Sequence, residues 1–308
     1  MVEHCRWYSI GDITLQVESD LPFSSNTFSD KLELFRIASP GPDVVTVRHH
    51  FGLPDMAGWD LSREKYRREP WAIYQTDKGW IYLGILPQGF GEKLWKVVVF
   101  SPEHSQADIY HPDELAFVQG GATSLTLFPS DQILVARLLA DRSGCYLHSA
   151  GAILDGHGML FVGHSEAGKS TTTQMLIDAG ARGDLAAEIL CDDRNIVRRF
   201  DDGWRAYGSW SHGDIPVVSA ALAPLRAICF IEKSAKNSLT PLTDRQEIIR
   251  RLLACVIKPF VTAEWWEKTI DVVAQLAAEA RFFLMRFDKS GKIVSDLVRI
   301  ARSSEQNG

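Results

Sequence analysis

Gly163-His164-Ser165-Glu166-Ala167-Gly168-Lys169-Ser170 is the stretch whose residue types and spacing point most directly to chemistry. A glycine, four residues, then Gly-Lys-Ser is the pattern of a loop that wraps a polyphosphate. The small residues Gly163, Ala167 and Gly168 let the chain turn closely enough for successive backbone N–H groups to face phosphate oxygens. A helix opening at Lys169 adds the positive end of its dipole. Lys169 then has the reach for the β- and γ-phosphates, and the Ser170 hydroxyl suits Mg²⁺. His164, Ser165, Glu166 and Thr171 complete the stretch expected to touch a nucleotide.

Asp192 and Asp193 are the second constellation. One carboxylate can hold Mg²⁺ together with Ser170 while the other orients or deprotonates an attacking hydroxyl. Adjacent aspartates also begin turns, here toward Arg194-Asn195. Two like charges behind a buried strand are costly without a cation, which favours the functional reading.

These residues need elements to position them. Met159–Val162 reads as a strand after the turn Asp155-Gly156-His157-Gly158. Lys169–Ala179 reads as a helix on the spacing of Thr172, Met175, Leu176 and Ala179, with Gly180 as its stop. Glu188–Asp193 reads as a short strand ending in the paired carboxylates. Beyond the carboxyl ends of strands is where α/β sheets gather ligands, so loop and acids are expected to face one crevice. Upstream, a helix capped by Ser130 runs to about Leu139, and the strand Cys145–Leu154 carries His148. Downstream come the hairpin Ile196–Phe200 with Trp204–Tyr207, a strand Ala227–Glu232, helices Asp244–Lys258 and Thr262–Glu279, a strand Arg281–Phe287, a helix Ser290–Ala301 and a polar tail, 302–308.

Residues 1–128 read as β-rich, with strands at Ile13–Val17, Leu32–Ile37, Val44–Val47, Trp71–Gln75, Trp80–Leu86, Leu94–Phe100 and Leu125–Leu127. Thr76-Asp77-Lys78-Gly79 is a hairpin turn. Leu53–Asp60 with Arg63–Arg68 reads as an exposed loop and short helix. Trp7, Trp59, Trp71, Trp80 and Trp95 are expected in the core or in cross-strand pairs rather than on a stacking surface. His49 and His50, adjacent on a strand, point to opposite faces, so a shared metal is not expected without other partners.

The 308 residues, 45% hydrophobic and 23% charged, suit one large or two modest globular domains. A net charge of −6 without a basic block argues against a nucleic-acid partner. The five cysteines have no metal or CxxC spacing and read as reduced thiols. The opening MVEHCRWYSIGD lacks a basic and an apolar signal region, and no apolar run approaches membrane length, so a cytoplasmic protein without membrane contact is expected.

Leu147-His148-Ser149-Ala150-Gly151, the Gly163–Ser170 loop and Ile189-Leu190-Cys191-Asp192-Asp193 together resemble the HPr kinase/phosphorylase and ATP-dependent phosphoenolpyruvate carboxykinase superfamily, more closely its divergent HPr-kinase-like branch. The resemblance covers roughly residues 129–230. It implies an α/β P-loop kinase domain over 129–308. The β-rich region 1–128 before it shares no part of the resemblance; tryptophan-bearing and without a catalytic constellation, it is expected to serve substrate or partner recognition. It places His148 in the phosphate and metal site, makes Lys169 and Ser170 the loop's functional pair, Asp192 the general base and Asp193 a metal ligand. Gly208–Asp214 resembles the branch's Trp-containing loop, which makes Asp214 a candidate metal-site residue. Two departures stand out: Arg182–Ala187 lengthens the connection to the acidic strand, and Glu166 puts a negative charge in the loop. No segment matches the loop that contacts HPr, so HPr itself is not the expected acceptor.

The resulting expectation is an ATP- and Mg²⁺-dependent kinase acting on a hydroxyl, serine of a peptide, a protein or the free amino acid. Arg226, Arg245 and Lys258 are the candidate cations for the transition state. The rivals are a nucleotide-binding regulatory protein without transfer activity and a carboxykinase-like lyase. The lyase is disfavoured because no set of arginines is placed for a small dicarboxylic acid. Homo-oligomerisation is left open.

Overall fold

The computed structural model describes residues 3–85, 94–126, 131–258 and 262–303. The expected Ser130 cap, the last residues of the strands drawn to Leu86 and Leu127, and the end of the tail lie outside these. The chain divides into two compact units, residues 1–138 with 259–265 and residues 139–258 with 266–308. The division falls later than the sequence-based boundary after residue 128, inside a helix.

The first unit is built on one nine-stranded sheet of β1 (Cys5–Ile10), β2 (Ile13–Ser19), β3 (Arg36–Ile37), β4 (Val44–Phe51), β5 (Glu64–Arg68), β6 (Trp71–Thr76), β7 (Gly79–Ile85), β8 (Leu94–Phe100) and β9 (Gln106–His111). Their spatial order is β3-β1-β2-β4-β9-β8-β7-β6-β5. The helices α1 (Asp30–Glu33) and α2 (Leu115–Gln119) are short, and α3 (Gln132–Ala140) crosses the division. In β4, Val45, Val47 and His49 turn inward at the strand period of two, which seats a histidine in the core. His50 therefore faces outward, between Asp20 (2.9 Å) and Asp108 (3.0 Å).

Three expectations in this unit fail for local reasons. Leu125 and Thr126 form no strand, because their backbone N–H groups go to the Asp131 carboxylate. Leu32–Ile37 is not one strand, because Asp30–Glu33 turns helically to bury Leu32 and leaves Leu34 58% exposed, so that only Arg36–Ile37 pairs with β1. Arg63–Arg68 is not a helix: Glu64–Arg68 is the edge strand beside β6, its charged side chains facing solvent. Charge on an edge strand opposes pairing with another chain. Sequence reading also passed over β1. Its alternation of Arg6, Tyr8 and Ile10 is masked by a buried arginine, which Glu3 and Glu33 neutralise at 3.0 and 3.1 Å. Of the five tryptophans named above, Trp80 alone is buried, and Trp95 is half-buried.

Burial works against a charged His50, but its bonds with Asp108 and Asp20 outweigh that and raise its pKa. A raised folded-state value gives stability that is complete below the unfolded value of about 6.5 and is lost as pH climbs through the folded one. His50→Gln should accordingly destabilise the protein more at pH about 5.5 than at pH about 8.5. Thermal melts across that range check this, and a difference independent of pH would contradict it.

The second unit contains β10 (Gly144–Leu154), β11 (His157–Val162), α4 (Lys169–Ala181), β12 (Ala187–Cys191), β13 (Arg194–Phe200), β14 (Gly203–Tyr207), β15 (Leu222–Lys233), β16 (Ser238–Pro241), α5 (Arg245–Cys255), α6 (Ala263–Glu279, its first turn in the other unit), β17 (Phe282–Phe287) and α7 (Ile293–Arg302). β10 and β15 are long enough to serve two sets of neighbours. The first half of β10 pairs with β13 and its second half with β11 and β12; β15 pairs in succession with β14, β11 and β17. The pairings β11-β10-β13-β14-β15-β11 close on themselves.

β11, β15 and β17 are parallel and covered on both faces, which is why they read as near-continuous apolar runs. Met159, Phe161, Cys229, Ile231, Met285 and Phe287 pack with Leu176 of α4 and Leu297 of α7. The alternate residues Leu160, Val162, Ile228, Phe230 and Phe282 pack with Ile248 and Leu252 of α5 and Val273 and Leu276 of α6. Each such side chain contributes roughly 1.5–3 kcal/mol by leaving water. Asp244 caps α5 by accepting from Gln246 N and Glu247 N at 3.0 and 3.3 Å, a device typically worth about 1 kcal/mol. α4 runs through Gly180 instead of stopping there, and the positive φ of 80° that follows its end falls on Gly183.

Candidate functional site: the crevice at the strand ends

Because β11, β15 and β17 run parallel, Val162, Lys233 and Phe287 leave the sheet at the same edge. β12 is antiparallel to β10, and β10 antiparallel to β11, so Cys191 ends there too. His148 precedes the residue of β10 that pairs with Val162. Strand direction thus brings the loop, the paired carboxylates and His148 to one edge. A cavity of about 540 Å³ there is lined by His148, Ser165, Glu166, Gly168, Lys169, Ser170, Thr171, Asp192, Asp193, Gly213 and Asp214, joined by Lys233; Gly163, His164 and Ala167 are not in its wall.

The Gly163–Ser170 loop is tight by construction. A Cβ on Gly163 would lie 2.8 Å from both Ala167 Cβ and Ile231 Cγ1. Gly168 has φ +114° and stands at the N-cap of α4, where no side chain caps the helix, so the first-turn amides are left for an external acceptor. Lys169 is 8% exposed and its Nζ donates to Gly163 O and His164 O, both at 3.1 Å. Burial pulls its pKa down, and Asp193 and Asp192 partly offset this. Glu166 is exposed, with φ +65°. Gly168→Ala would set a Cβ 2.7 Å from Phe287 Cζ in a backbone region alanine avoids. It should cost about 1–3 kcal/mol, read as a fall in Tm. An unchanged Tm would mean the loop relaxes freely.

The two aspartates have different surroundings. Asp192 is 1% exposed; its Oδ1 accepts from Gly213 N at 2.6 Å, and its Oδ2 from Ile215 N at 2.9 Å and Ser170 Oγ at 3.2 Å. Ser170 Oγ also lies 3.5 Å from Asp214 Oδ2. Asp193 instead meets His148 Nε2 at 3.4 Å, Ser211 Oγ at 2.9 Å and the Arg194 guanidinium. Burial alone would raise its pKa, but His148, Arg194 and Ser211 together hold it below the usual carboxylate range. Ser170 therefore faces Asp192 and Asp214, whereas the metal set expected from sequence joined it to Asp193 and Asp214.

The turn carrying these acids is organised by Cys191. Its thiol, pushed up to about 11 by burial, lies 3.0 Å from both Arg194 O and Ser211 O, which share its one hydrogen. Asn195 Nδ2 ties the same turn to β10 through Ser149 O at 2.7 Å. None of this is visible in a linear pattern.

Of the expected transition-state cations, none lines the cavity. Arg226 pairs with His157 near the opposite end of β11, Arg245 donates to Ala274 O at 3.0 Å, and Lys258 lies over the Trp266 ring. Lys233 is the cation missed. The strand-end rule applied to β15 would have found it. A second cavity of about 430 Å³ shares Gly168, Thr171 and Lys233 and continues to Phe287, Asp288 and Lys289.

No cluster of three or more His, Cys, Asp or Glu with metal-holding geometry occurs among the described residues. The donors present, one hydroxyl and two carboxylates, fit Mg²⁺, which usually takes one or two carboxylates and leaves its other positions to phosphates and water. No described helix is long and apolar enough to cross a membrane. No protein-family model matches the chain, and no curated protein matches it.

Proposed function

We propose that the chain binds Mg·ATP at Gly163–Thr171 and transfers the γ-phosphoryl to a hydroxyl, a serine of a peptide or protein or the free amino acid. The observation that carries this reading is the meeting of Lys169, Ser170, Asp192, Asp193, His148 and Lys233 in one cavity at the amino end of α4. The loop amides, Lys169 and Lys233 would neutralise the phosphates, and the neighbouring cavity beside Phe287 offers the nucleoside a ring to lie against. The resemblance to the HPr-kinase-like branch supports a hydroxyl as the acceptor.

The roles of the acids follow from their partners. Asp192, with Ser170 and Asp214, forms the donor set suited to the nucleotide's Mg²⁺. Two backbone N–H groups and the Ser170 hydroxyl hold both Asp192 oxygens in place beside the loop. Asp193, beside His148, is the carboxylate left to orient an incoming hydroxyl. This division reverses the one implied by the resemblance.

One observation favours a nucleotide-binding protein without transfer activity: Asp193 is already engaged by Arg194, Ser211 and His148. Incubation with γ-labelled ATP, Mg²⁺, free serine and a serine-peptide library separates the readings. Label in an acceptor, lost in Asp193→Asn with ATP binding retained, supports the kinase. Binding without any transfer supports the regulator.

A further inference from the structure

The first unit holds a cleft of about 580 Å³ that the nucleotide reading does not use. His49 and His111, Lys96, Trp95, Phe28 and Phe117 define it. The His49 Nδ1 and His111 Nε2 atoms are 2.8 Å apart and the rings stack with centroids 5.1 Å apart. One N–H is therefore shared between them. His49 is 2% exposed, and its Nε2 is buried with no hydrogen-bond partner among the described residues. A buried ring nitrogen without a partner is costly, so this ring calls for a hydrogen-bond partner beyond the described residues.

The charge in the cleft indicates which group. Among the described residues Lys96 Nζ has one long bond, to Thr126 O at 3.5 Å, and lies 5.4 Å from the Trp95 ring centroid. The nearby carboxylate of Asp131 is saturated by Leu125 N, Thr126 N and Thr126 Oγ1 at 2.6–2.7 Å. Asp113, also in the wall, accepts from Leu115 N at 2.9 Å. Lys96 is thus a desolvated cation whose local carboxylates are committed elsewhere. Burial, partly offset by Asp131, brings its pKa down to about 8. Whichever ring donates in this contact, the pair keeps one further N–H, on His49 Nε2 or on His111 Nδ1, as a second donor. Phe117 lies 5.8 Å from His49 and 6.2 Å from Phe28, edge-on to the latter, so the wall beside the histidines is aromatic, while Gln119, Thr123 and Ser124 line it elsewhere. The backbone of this wall is fixed by Gly121 N to Asn26 O at 2.8 Å and Ala122 N to Thr27 O at 3.0 Å.

We propose that this cleft binds a small organic anion, a carboxylate on an apolar or aromatic body, with Lys96 and the His49–His111 pair taking the carboxylate and Trp95, Phe28 and Phe117 the body. The volume lies within the range of small-molecule sites, and few polar groups against an apolar wall is their usual composition. The proposal does not depend on the nucleotide site.

The test uses the full chain and two probes of one shape, 3-phenylpropanoate and the neutral 3-phenylpropanamide, titrated by calorimetry and saturation-transfer NMR. The carboxylate should bind at least about tenfold more tightly than the amide. Lys96→Gln should weaken carboxylate binding about tenfold or more and leave amide binding, circular dichroism and melting nearly unchanged. Trp95→Ala, at a half-buried position, should weaken both probes. Equal binding of the two probes, no effect of Lys96→Gln, or no saturable binding of 3-phenylpropanoate at millimolar concentration would each overturn the proposal.

Discussion

Lys169→Ala is expected to lower affinity for Mg·ATP on the order of a hundredfold or more, with phosphoryl transfer lost in step. The side chain is a buried cation at the uncapped start of α4, and its loss would remove the proposed charge-assisted contacts to the phosphates, several bonds of about 1.5–3 kcal/mol each. Its Nζ also bonds to Gly163 O and His164 O and so ties the loop together. The alanine variant should also melt a few degrees lower, because two loop carbonyls lose their donor. Calorimetric titration and a thermal melt read both effects. Unchanged nucleotide affinity would remove the loop from the site.

Asp192→Asn should have an effect of similar size by another route. Both carboxylate oxygens accept backbone N–H groups, and Oδ2 also accepts the Ser170 hydroxyl. An asparagine must set its NH₂ against one of these donors, whichever way the amide is turned. An unmatched buried group costs roughly 1–3 kcal/mol and displaces the Gly213–Ile215 segment that carries Asp214. The expected results are a steep rise in the Mg²⁺ concentration needed for ATP binding and transfer slowed on the order of a hundredfold or more. Asp193→Asn should slow transfer while the Mg²⁺ requirement stays nearly constant. Magnesium titrations of the two variants decide the assignment. The opposite pattern restores the roles implied by the resemblance, and identical behaviour means the pair acts as one unit.

What could be read in the sequence was the part with a local physical cause. The Gly163–Ser170 spacing, the apolar runs of β11, β15 and β17 and the hairpin of β13 and β14 each announce themselves within a few residues. The convergence of Asp192 and the loop on one edge followed from strand direction, whereas His148 was placed there by the resemblance alone. Leu32–Ile37 and Arg63–Arg68 were misread because their state depends on neighbours: a buried Leu32 against the sheet, and the ladder offered by β6. Lys233 was missed because its role comes only from where β15 ends relative to β11. The His49–His111 contact joins residues 62 positions apart, and no linear pattern could have paired them. Cys191, read as one of five reduced thiols, fixes the acidic turn through carbonyls that only the folded chain brings to it.

The central claim is that the Gly163–Ser170 loop and Asp192 form a Mg²⁺-dependent nucleotide site. Isothermal titration of ATP into the full chain, with Mg²⁺ and then with EDTA, tests it most directly. The account predicts saturable binding with one site per chain in Mg²⁺, and a large loss of affinity in EDTA and in Lys169→Ala. Absence of binding to the folded wild-type protein in Mg²⁺, or binding that neither EDTA nor the substitution weakens, would contradict it.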